Sequence, residues 1–224
     1  MQTYKQYVIS IALGQSHERT ALALIEFEPN GDAADLVCDV RHLTRYRLGT
    51  GFPEIVADAV KIAADVRKLP DRFGDPSMIL EATSAGKPVV DLFQREKRKG
   101  KLDARLEAMM ISAGDMEADE FADGVRYWRV PKRNLASVVQ VLLQTARLRI
   151  APALAESETL VRELQNFKVK INTAATNEML DFLREGPQDD LVLCVAAGCW
   201  KALKWRPPQR SAVGRSIRVH TMET

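Results

Sequence analysis

The chain has 224 residues, 46% hydrophobic and 28% charged, with a formal net charge of +2, enough for one sizeable core and a small appendage. No apolar run approaches the roughly 18 residues a membrane span requires, and Met1-Gln2-Thr3-Tyr4-Lys5 lacks a signal-peptide pattern, which argues against membrane insertion and secretion. The three cysteines, Cys38, Cys194 and Cys199, lie in apolar stretches without metal-ligand spacing, so they read as reduced core residues of a cytosolic protein.

In chain order, residues 6–14 form an apolar run ending in glycine, the pattern of a buried strand. A polar turn, Gln15 to Arg19, leads to a second strand from Thr20 to Phe27, and Pro29-Asn30-Gly31-Asp32 marks another turn. From Leu36 to Leu48 the chain alternates, with Cys38, Val40, His42 and Tyr46 on one face and Asp39, Arg41, Arg45 and Arg47 on the other. That predicts a half-exposed strand with a basic outer face, closing a three-stranded antiparallel meander. Pro53 suits the first turn of a helix whose stripe is Ile55, Val56, Ala59, Val60, Ala63 and Val66. Ser77 to Glu81 is the next strand, expected to return parallel to the first because a helix precedes it.

Lys87 to Arg98 is predicted helical and Arg105 to Ile111 extended. Ser112 to Gly124 reads as an acidic loop. Pro131 to Leu148 and Ser157 to Phe167 read as amphipathic helices, with a short strand at Lys168 to Asn172. A final helix runs from Asp189 to about Leu203. The expected organisation is one domain over 1–205 and a flexible basic tail over 206–224, in which Pro207-Pro208 ends ordered structure. Cations cluster in Arg95-Glu96-Lys97-Arg98-Lys99-Gly100-Lys101, at Lys132-Arg133 and in the tail, a distribution that suits a polyanion.

Two acids, Asp189 and Asp190, open the last helix, where the dipole favours negative charge. Glu81 ends the apolar run Met78-Ile79-Leu80, and the equivalent position at the end of the first strand is Ala12. A meander, a helix, a strand beside the first and a late helix over the sheet is the layout of the ribonuclease H fold. Its enzymes hold acids at these three places. In-line phosphodiester cleavage uses two divalent ions about 4 Å apart, and hard magnesium or manganese ions take carboxylate ligands.

Five ordered segments then resemble nuclease domains of phage terminase large subunits: Ser10 to His17, Gly49 to Val56, Glu81 to Asp91, Trp128 to Leu135 and Asp189 to Leu193. The resemblance spans about residues 6–203 and implies a ribonuclease H-like α/β fold: a mixed sheet of an antiparallel meander plus parallel strands, flanked by helices. It implies a metal-dependent endonuclease cutting double-stranded phage DNA during packaging, in the cytoplasm of the bacterial host. Glu81, Asp189 and Asp190 would then be catalytic ligands for Mg2+ or Mn2+, and His17, Lys87, Lys132 and Arg133 the candidate DNA contacts.

The chain departs from that pattern where the family's first-strand aspartate is Ala12, which removes the ligand that bridges both ions. It also lacks a Gly-x-x-x-x-Gly-Lys-Ser/Thr phosphate loop. The terminase ATPase domain, the small subunit and the portal are therefore the expected partners besides DNA. The same residues fit a second expectation: a module of this fold that binds DNA or assembles without cutting.

Overall fold

The computed structural model describes residues 4–14, 18–28, 36–83, 86–173 and 189–206, without the side chains of 167–173. The predicted contact His17 and the tail from Pro207 onward lie outside the described residues.

Chain order runs β1 (Gln6–Ala12), β2 (Ala21–Phe27), β3 (Cys38–Arg45), α1 (Phe52–Arg67), β4 (Ser77–Glu81) and α2 (Gly86–Arg98). It continues through β5 (Arg105–Ser112), β6 (Ala118–Ala122), β7 (Val125–Pro131), α3 (Lys132–Gln144), β8 (Leu148–Ile150), α4 (Ser157–Thr173) and α5 (Asp190–Leu203). Among the described residues the strands form one eight-stranded sheet in the order β6-β7-β5-β4-β1-β2-β3-β8. β1, β2 and β3 make the antiparallel meander, β4 lies parallel to β1, and β5 and β7 extend the parallel half.

β1 and β4 are buried along their whole length, as expected for central strands covered on both faces. Even-numbered β1 residues such as Val8 and Ala12 pack with α3, α4 and α5, whereas Ile9 and Ile11 pack with α1 and α2. The result is a three-layer arrangement of helices, sheet and helices. α5 is apolar around most of its circumference and is correspondingly buried. It approaches the sheet closely because Gly198 presents no side chain: a Cβ there would stand 2.7 Å from Ile25 Cγ1 and 2.8 Å from Ser10 Oγ.

Several expectations are corrected. The acidic stretch 112–124 contains the edge strand β6, paired with β7. The turn between them, Asp123-Gly124, has φ of 52° and 79°, the left-handed pair of a two-residue hairpin loop. The helix expected from Pro131 to Leu148 spans Lys132–Gln144, and Leu148–Ile150 form strand β8, pairing with β3. α4 continues to Thr173 where a short strand was expected. Along β3, Leu24 pairs with His42 but Ile25 pairs with Val40, so Arg41 is an extra residue. This bulge reverses the alternation. Leu43 therefore joins the core cluster that holds Cys38 and Val40, and Arg45, expected on a basic outer face, turns inward with a side chain 8% exposed.

Among the described residues, no helix is long and apolar enough to cross a membrane. All three cysteines are buried and outside any disulfide.

Candidate functional site

Ala12 ends β1 and Glu81 ends β4, and the two are direct partners across the parallel pair. Glu81 shares its face with Ile79 and Ala12 with Val8, both in the cluster that α5 covers. The methyl and the carboxylate thus stand side by side beneath the same helix layer. The continuation of this row is Ala12 against Ala21 and Ala21 against Arg45. Cys194, one turn into α5, lies 3.1 Å from the Ser10 carbonyl and 3.4 Å from that of Ala21, as a thiol donor. The start of α5, with Asp189 and Asp190, therefore sits over the ends of β1 and β2.

Glu81 is buried, and burial raises its carboxyl above the usual range. The Thr83 backbone N–H donates to Glu81 Oε1 at 3.1 Å and the Thr83 hydroxyl also favours the charged form. Glu18, from the turn before β2, adds repulsion, while Lys132 at the start of α3 favours the carboxylate. The structure thus brings one predicted cation and one unpredicted acid into electrostatic range of Glu81.

Asp190 has a different partner. Arg45 clasps it through two parallel hydrogen bonds, Nε to Oδ2 at 2.8 Å and Nη2 to Oδ1 at 2.5 Å, the bidentate geometry of a guanidinium on a carboxylate. Beside them lies Glu163 of α4, whose Oε2 accepts from the backbone N–H groups of Leu191 and Val192 at 3.1 and 3.2 Å. Glu163 thereby caps α5, while Asp189, at the N-cap position, makes no capping hydrogen bond through its side chain. The other Glu163 oxygen has no hydrogen bond and stands 3.6 Å from Arg45. Neither Arg45 nor Glu163 was expected at the site from the sequence.

Of the remaining predicted contacts, Lys87 pairs with Asp123 at 2.6 Å and Arg133 with Asp115 at 2.7 Å. Both are neutralised by the acidic segment around β6.

A centre for two hard cations needs converging oxygen ligands. Ala12 supplies a methyl group at one wall, and both oxygens of Asp190 bind Arg45. Among the described residues no three His, Cys, Asp or Glu gather closely enough to hold an ion. The described residues do not fit such a centre.

No protein-family model matches the sequence, and no curated protein sequence matches it. Solved structures do. The manganese-soaked nuclease domain of the human cytomegalovirus terminase superposes with a TM-score of 0.54 at 12% identity, over 88% of this chain and 83% of that one. The fold is that of terminase nuclease domains. The same viral domain with an inhibitor bound also gives 0.54 at 12% identity, over 89% and 84%. The large terminase nuclease from thermophilic phage G20c gives 0.48 at 15% identity, over 88% and 84%. The ribonuclease H-like architecture of the terminase nucleases is therefore present, with a mixed sheet and helices on both faces.

Proposed function

We propose that this chain is the nuclease-type domain of a phage terminase, disabled for metal-dependent phosphodiester cleavage, that serves as a DNA-binding and assembly module in genome packaging. One observation carries the reading: Ala12 stands in register with Glu81 at the ends of β1 and β4. A methyl group at that place supplies neither charge nor a lone pair. Arg45 reinforces the reading by occupying both oxygens of Asp190. Its cation compensates an acid that a divalent ion would otherwise engage.

What remains is a scaffold suited to holding duplex DNA beside the terminase ATPase domain, small subunit or portal, in the cytoplasm of an infected bacterium. Lys132 near Glu81 and the exposed cations elsewhere supply phosphate contacts.

The test is plasmid cleavage with manganese, comparing the chain with Ala12→Asp. The expected result is no cleavage by the former and nicking by the latter. The difference should be about 10²–10³-fold or more, the usual effect of removing preorganised charge stabilisation. Glu81→Ala added to Ala12→Asp should abolish that nicking. Manganese-dependent cutting by the unaltered chain, lost on Glu81→Ala, would overturn the proposal and direct attention to Glu18 as a substitute carboxylate.

A further inference from the structure

We infer that the end of the molecule remote from Ala12 and Glu81 carries a second binding surface for the phosphate backbone of duplex DNA, built on the last turn of α2 and the loop after it. The inference rests on the reading of the domain as a DNA binder and adds a surface that the carboxylate corner does not include.

α2 begins at Gly86, shortly after Glu81, so its N-terminus lies at the acid end of the sheet. Its 13 residues rise by about 20 Å, which places the C-terminal turn at the opposite end. There Arg95, Lys97, Arg98, Lys99 and Lys101 are all exposed. The local acids are already engaged: Glu96 pairs with Lys99 at 2.7 Å, and Asp103 pairs with Arg67 of α1. Arg95, Lys97, Arg98 and Lys101 have no ion pair among the described residues.

Four such cations within seven positions single the cluster out. Elsewhere on the surface Lys87, Arg126, Arg133 and Lys204 each face a carboxylate within 4 Å. The helix dipole accounts for a cation or two in a last turn, but the charge continues past the helix end at Arg98 to Lys99 and Lys101. Like charges so close repel one another, and a polyanion relieves that repulsion while releasing its condensed counterions. The backbone of a duplex that extends beyond the carboxylate corner has this chemistry.

The experiment measures binding of a 30-base-pair duplex by fluorescence anisotropy across a salt series, using the unaltered chain and two fourfold variants. The first is Arg95→Gln/Lys97→Gln/Arg98→Gln/Lys101→Gln. The second removes the same charge elsewhere, as Arg41→Gln/Lys61→Gln/Lys68→Gln/Arg149→Gln. The first variant should bind tenfold or more weakly at low salt, and the slope of log affinity against log salt should flatten by about 0.9 for each phosphate it no longer neutralises. The second should stay near the unaltered chain. Equal weakening by both variants, or an unchanged slope in the first, would overturn this inference while leaving DNA binding intact. An unaltered chain that binds no duplex would overturn the functional reading as well.

Discussion

Burial raises the Glu163 carboxyl to about 7, and the neighbouring Asp190 carboxylate pushes it the same way. The unfolded chain titrates this group near the ordinary value of 4.5, so the folded state holds the proton more tightly across that interval. Its contribution to stability is complete below about 4.5 and is lost as pH rises through about 7. Glu163→Gln keeps a carbonyl oxygen for the N–H groups of Leu191 and Val192 and removes the titration. At pH 8 the variant should exceed the parent in urea-denaturation stability by about 1–3 kcal/mol, and the two should converge near pH 4. Parallel stability curves for the two proteins would contradict this assignment. No local pattern could have disclosed Glu163, because the amides it caps lie 28 and 29 positions further along the chain. Arg45 was hidden for another reason: strict alternation placed it outward, and the extra residue Arg41 reversed the side chains that follow.

At the scale of elements, α5 depends on a single absent side chain. Gly198→Ala should gain the roughly 1 kcal/mol of helix propensity that separates the two residues. The new methyl would nevertheless collide with Ile25 and Ser10 on the sheet beneath. Overpacking of a filled core costs about 1–3 kcal/mol, so the net expectation is a lower melting temperature. A higher one would show that α5 can lift from β1 and β2 at little cost. Periodicity was sufficient for β1, β2, α1, β4, α2 and α5, whose apolar residues are long-run or cleanly striped. It failed for β6, which is exposed along its entire length and so carries no hydrophobic signal. The Asp123-Gly124 dipeptide before Val125 was the available clue to that hairpin. β8, three residues long, is held by pairing with β3 rather than by a pattern of its own.

At the scale of the whole molecule, segments far apart in sequence are brought to one corner by the sheet order. Ala12 meets Glu81 because β4 lies directly beside β1, and Cys194, one turn into α5, reaches Ser10 of β1 and Ala21 of β2. The pairing of Ala12 and Glu81 was legible from the strand ends, since a helix between parallel strands returns the chain to the same edge. The Arg45 clasp was not, because it joins residues 145 positions apart. Ala12→Asp would place a second buried carboxylate beside Glu81, so like-charge repulsion should lower the melting temperature of that variant in chelator. Manganese should restore it. The most direct measurement is therefore calorimetric titration of manganese into the unaltered chain and into Ala12→Asp. Saturable binding is expected for the variant and none for the unaltered chain; equal affinity for both would contradict the loss of the metal centre at Ala12.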